Sequence, residues 1–395
     1  MAKKSNSLAR TLRLVPGIWV IALLATVVIV GDGSRSAACP FCTALKPSLS
    51  QLRERAAVVA LAEVQSPTDA KRSHLLLHRV LEGASRLSQS DSLDASMDLA
   101  AKPGSLIILF GTQDSTPSGP LSWHAVAVDE TGYGYFARAP KANAAAAERL
   151  RYFAPFLENP DPLIADDAYL EFGHAPFDEV ARAAELLSIP RVREWLISDR
   201  VPPERKGFYG LALGLCTQAD ERAANAEFLR RLVVAPEDDF RAGFDGVLGG
   251  YLLLAGGAGL DLVEARYLAN PRAADGDVRH ALTALRFYYE YGREIPKDRL
   301  KVALRHLLDR SEFAASAITD LARWKDWDSL DRIVALYTRE GFVQPTIGRA
   351  IVGYLLACPN RDAALALERL RKSDPEGVQA AQRALTRTTS GPQSE

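Results

Sequence analysis

The chain has 395 residues, 48% of them apolar, with 48 Lys and Arg against 49 Asp and Glu. That is enough apolar material for two cores, and the near-neutral balance excludes the basic surface that nucleic-acid binding demands. Four cysteines exclude a disulfide-built scaffold, so packing must supply most of the stability.

Lys3, Lys4, Arg10 and Arg13 precede an uncharged stretch from Leu14 to Val30, followed by a short polar segment that ends in Ser36-Ala37-Ala38. A charged, then apolar, then small-residue order is that of a secretory signal peptide. It predicts a leader over 1–38, cleavage after Ala38, and a periplasmic or extracellular protein that begins at Cys39. The alternative is an uncleaved anchor over 14–30 with the remainder extracytoplasmic, since that span sits at the lower limit of about 17 residues for crossing a bilayer. Membrane association is expected only in that case. Five of the 48 basic residues and one of the 49 acidic ones belong to the leader, which leaves the exported part mildly acidic.

From 39 to 143 the pattern is short and strand-like. Ala57 to Val64, His74 to Leu81, Leu106 to Phe110, Trp123 to Val128 and Tyr133 to Arg138 are apolar or alternating runs bounded by turn residues such as Ser66-Pro67 and Lys102-Pro103-Gly104. Five such runs predict a small β-barrel domain. Gly83 to Ala101, rich in Ser, Asp and Leu, reads as a loop with a helical turn. The leading cysteine pair, a helix over Thr43 to Arg55, a strand over Ala57 to Val64 and a strand ending in Val80-Leu81-Glu82-Gly83 resemble the netrin-module and tissue-metalloprotease-inhibitor type of OB-fold. In that family the N-terminal cysteines are Cys-x-Cys and are tied to later cysteines of the same domain. Here they are Cys-x-x-Cys and the next cysteine is Cys216, so the resemblance implies only an OB-like barrel.

From 144 to 387 the apolar period changes to that of helices. Ala147 to Leu157, Pro162 to Phe172, Phe177 to Leu187 and Val192 to Ile197 read as short amphipathic helices, with prolines at their starts. Helix-pair starts near Pro203, Asp239, Asp277, Glu312 and Pro345 then recur about every 34 to 38 residues, the scale of helical-pair repeats. The array resembles HEAT-type α-solenoids, whose units stack because none buries its apolar face alone. Residues 388–395 are polar and read as a disordered tail.

Chemistry is sparse. Cys39-Pro-Phe-Cys42 points to a local disulfide or a pinned N-terminus, with thiol-disulfide exchange as the alternative; a redox motif of this type normally follows a strand, and only a leader precedes this one. Cys216 and Cys358 fall in distant repeats and read as buried core residues. His74 and His78 lie on a strand, where a four-residue spacing separates them by about 13 Å, too far for one metal. Asp166-Asp167 reads as a solvated helix face, with a groove site for a cation or a basic partner as the alternative, and the glycines of Gly249 to Gly259 read as close helix packing with a turn. Phe287, Tyr288, Tyr289 and Tyr291, with Trp324 and Trp327 one unit later, cannot all face one core, because adjacent helical positions diverge by about 100°; they read either as a recognition surface or as tight packing between repeats.

These readings converge on an α+β multidomain protein, with an OB-like β-barrel followed by an all-α, HEAT-like solenoid. The expected function is non-catalytic binding or scaffolding outside the cytoplasm, with a protein partner, no cofactor and no metal. A disulfide between Cys39 and Cys42 and a partner surface at Tyr288, Tyr289, Tyr291 and Trp327 complete the expectation. The enzymatic alternative is an oxidoreductase acting through Cys39 and Cys42.

Overall fold

Ser48 opens the first helix with a capping box. Its hydroxyl accepts from the Gln51 amide while the Gln51 side chain accepts from the Ser48 amide, satisfying two amides that a helix start leaves free. The structure is a computed structural model that describes residues 41, 46–67, 72–87, 91–96, 101–113, 119–216, 218–236 and 241–389. The expected leader and both Cys39 and Cys42 lie outside the described residues.

Helix α1 (Leu49–Arg55) leads into β1 (Val58–Pro67), β2 (Arg72–Glu82), β3 (Ser92–Ser96), β4 (Leu106–Gln113) and β5 (Leu121–Val128). They form one antiparallel sheet in the order β3-β2-β1-β4-β5, curled into a half-barrel. Side-chain alternation makes β4 the centre of two layers. Ile107 and Leu109 join Val64, Leu75 and Ala125 on one face, while Ile108 and Phe110 join the helices on the other.

Four of the five expected strands are present. The fifth, Tyr133 to Arg138, is instead part of helix α2 (Glu130–Arg138). Asp129 caps it by accepting from the Gly132 amide at 2.7 Å, and Gly132, Tyr135 and Phe136 are buried at the i, i+3, i+4 spacing of a helix. The missing strand, β3, lies in the stretch expected to be a loop, whose helical turn is present at Ala84–Arg86. Only Leu93 and Ala95 of β3 pack inward, too few to show alternation in the sequence.

The helices continue with α3 (Ala146–Phe153), α4 (Pro162–His174), α5 (Phe177–Ala183) and α6 (Ile189–Ile197), then α7 (Pro203–Gly214), α8 (Ala219–Val234), α9 (Phe244–Val263) and α10 (Asp275–Tyr291). They end with α11 (Lys297–Arg305), α12 (Ser311–Arg323), α13 (Leu330–Ala335), α14 (Pro345–Ala357), α15 (Arg361–Ser373) and α16 (Pro375–Thr389). The first helices of the expected repeats are α7, α9, α10, α12 and α14. In the second of these units the turn is a single break at Gly256, where φ is 55°, and the second helix follows it directly and ends in a π-helical turn over Glu264–Leu268. Phe244–Leu268 is long and apolar enough by composition to cross a membrane, yet 67% of its most apolar window is buried in the protein.

Polar contacts repeat with the period of the units. Tyr267 to Val233, Arg241 to Asp277, Arg286 to Asp320, Arg310 to Asp275 and Tyr337 to Asp374 join residues between 34 and 37 positions apart. Glycines set the closest contact in the array. Gly207, Gly210 and Gly214 of α7 face Gly243, Gly246 and Gly250 at the start of α9, and a Cβ on Gly210 would lie 2.6 Å from the Val247 Cα. The sheet gives way to helices after Val128, before the expected boundary near residue 143, and packing runs across both positions, because Phe41, Leu49, Val59, Ile108 and Phe110 belong to the same core as the helices.

Candidate functional site

Helix α4 starts at Pro162 behind Asp161, whose carboxylate accepts from the Leu163 amide at 2.8 Å. That register turns Asp167 and Glu171, one helical turn apart, inward. Asp167 is 3% exposed rather than on the expected solvated face. The Leu49 amide donates to it at 2.6 Å and the Tyr135 hydroxyl at 2.7 Å. Burial, opposed by those donors, pushes its carboxyl up to about 7. Burial together with the neighbouring Asp167 also raises the Tyr135 hydroxyl far above its ordinary range. Glu171 is fully buried; Arg149 donates to its Oε2 through Nε at 3.0 Å and through Nη2, while Oε1 has no hydrogen-bond partner among the described residues.

Asp166, the neighbour of Asp167, faces outward and is held by Lys46 and Arg205. Both aspartates border a cavity of about 350 Å³ whose other walls include Leu49, Leu52, His124, Val126 and Leu170. Both aspartates have partners within the protein, and Asp167 ties α1 and α2 to α4. Among the described residues no group of three or more His, Cys, Asp and Glu side chains is placed to hold a metal.

Of the expected partner surface, Tyr288 is 1% exposed and its hydroxyl accepts from the Glu294 and Ile295 amides, so it belongs to the interior. Tyr289 lies flat on Trp324, with ring centroids 3.9 Å apart and planes 2° apart, which joins two successive repeats. Tyr291 stacks against Phe177 at 4.2 Å, and Trp327 meets Tyr354 edge-on at 5.3 Å. These ring contacts between helices leave Tyr289, Tyr291 and Trp327 only partly exposed. His74 and His78 reach carboxylates on adjacent strands, Asp94 at 2.8 Å and Glu63 at 2.9 Å. Cys358 is buried and Cys216 half-buried, and both are free thiols.

Phe41, the central ring of the cysteine motif, is buried against Phe287 at 4.7 Å. The open surface of the array lies elsewhere. Between α12 and α14 runs a groove of about 350 Å³ walled by Ala315, Ala322, Ala350, Gly353 and Ala357, with Tyr354 and Leu385 also lining it. Arg323 and Arg349 stand on its two sides, and no carboxylate lines it. Arg349 also borders a second depression of about 500 Å³ between α14 and α16. The groove has one trace in the sequence, the small residues Ala350, Gly353 and Ala357 on one stripe of α14, which a search for aromatic or catalytic side chains passes over.

Compared with known proteins, the chain matches no family model, no curated protein and no solved structure.

Proposed function

We propose that this chain is a non-catalytic binding or scaffold protein that works outside the cytoplasm and holds a protein partner in the groove between α12 and α14. The observation that carries the reading is that groove: two stacked helices present small side chains and two arginines to solvent, while the aromatic rings expected to do the binding are engaged in packing. Stacked helical pairs offer such extended surfaces for protein recognition. The sheet is read as an OB-type half-barrel, because β1 lies between β2 and β4 and the sheet ends at β3 and β5, the edges that would meet to close a five-stranded barrel. The helices are read as HEAT-like pairs on the recurrence of inter-repeat contacts at one period.

Affinity capture from the extracytoplasmic fraction tests the function. Thr346→Trp and Ala357→Trp place bulk in the groove at exposed positions. A partner recovered with the wild type and lost with both variants supports the reading. Identical recovery by all three proteins overturns it.

A further inference from the structure

We infer that the occupant of the α12–α14 groove is an acidic amphipathic helix of another protein; the inference rests on the binding function proposed above and names the class of partner.

Along α14 the groove is lined by Thr346, Arg349, Ala350, Gly353 and Ala357, positions that follow one stripe of the helix. From Thr346 to Ala357 the lining follows α14 for about 17 Å at 1.5 Å per residue, with Leu385 of α16 beside it. Such a trough, floored by apolar groups and walled by parallel helices, takes a third helix whose own apolar stripe packs at i, i+3, i+4 and i+7. A peptide that binds by strand addition would need a sheet edge, and the walls here are helices, whose backbone groups are already paired.

Charge fixes the sign of the partner. Arg323 is 73% exposed and its nearest carboxylate, Asp320 at 3.7 Å, is bound more closely by Arg286 at 2.6 Å. Arg349 is exposed and makes no ion pair among the described residues. Two guanidinium groups thus flank an apolar channel from opposite helices with donors to offer. Guanidinium forks bind carboxylates in pairs of hydrogen bonds, so Glu or Asp on both flanks of an apolar stripe would complement them. A basic or neutral helix would find no carboxylate in the lining.

The test uses the full chain and two labelled helical peptides of about 16 residues, about 24 Å long. Both carry leucines on one stripe; one has glutamates on the flanks and the other lysines. Fluorescence anisotropy should show binding of the glutamate peptide alone. Arg323→Glu and Arg349→Glu together should weaken it at least about tenfold and admit the lysine peptide, as expected for reversed charge at an interface. Both arginines are exposed, and circular dichroism checks that the double variant remains folded. Absence of binding by the glutamate peptide, or binding indifferent to the charge reversal, overturns the inference. So does binding of phosphatidylserine vesicles, lost with the same charge reversal, without peptide binding. If the peptide fails while Thr346→Trp and Ala357→Trp still abolish capture of a partner, the acidic-helix inference falls and the binding function stands.

Discussion

The ring of Phe41 lies 4.7 Å from that of Phe287 and fills the space where a side chain on Gly249 would project, 2.7 Å from its Cζ. A residue that follows the expected leader closely in the chain is thus seated against the repeats, within an aromatic group that also contains Phe177 and Tyr291. The aromatic run on α10 serves as a socket for Phe41, and Gly249 is small because the ring occupies its side-chain volume.

This socket is open to a mutational cycle. Phe41→Ala should destabilise the protein by about 3 kcal/mol through loss of a buried ring. Gly249→Ala should cost about 1–3 kcal/mol through collision with it. In urea denaturation the double variant should lose less than the sum of the two, since removing the ring removes the collision. Simple additivity would show that the contact does not exist in solution.

Asp167 gives the protein a pH dependence of definite sign. Its folded value, about 7, lies above the ordinary 3.8, so the native state holds a proton that the unfolded chain releases. The stability this group contributes is therefore full below pH 3.8 and is lost as the pH rises through about 7. Asp167→Asn, which stays neutral, should flatten that part of the stability profile. Melting temperatures of the two proteins across this range provide the check, and parallel profiles would contradict the assignment.

Arg149 neutralises a carboxylate that has no route to water. Arg149→Ala should cost about 3–5 kcal/mol, because it strands the charge of Glu171 in the core. Adding Glu171→Gln should recover part of the loss, as the stranded charge is gone. Guanidinium chloride titration of the single and double variants measures both steps.

Trp324 and Trp327 should separate cleanly. Trp324 is buried and stacked on Tyr289, so Trp324→Ala should cost about 3–5 kcal/mol. Trp327 touches Tyr354 only at an edge and is partly exposed, so its truncation should cost less. Equal losses in thermal unfolding would count against the inter-repeat stack.

Much of the helical half was readable from the chain alone. The 3.6-residue period, the prolines at helix starts and the recurrence of helix pairs are local signals, and α7, α9, α10, α12 and α14 lie where those signals place them. Gly249 and Gly250 are legible as packing residues for the same reason, although their partners, Phe41 for the first and Gly210 and Gly214 for the second, are set only in three dimensions. Helix α2 was misread because Tyr133 to Arg138 mixes aromatics with Gly, and the cap at Asp129 outweighs their strand preference. Strand β3 was missed because its pairing with β2 comes from backbone register more than from an apolar pattern.

What the sequence determined by itself is what depends on near neighbours: a strand-rich segment followed by a long run of helices. What only the tertiary structure decided is which side chains meet. Tyr288 turned inward, Asp167 was buried beneath Leu49 and Tyr135, and Phe41 crossed more than two hundred positions to reach Phe287. Periodicity assigns a residue to a face of its own helix. Whether that face meets solvent, another helix or the N-terminal segment depends on stacking, which no local pattern encodes.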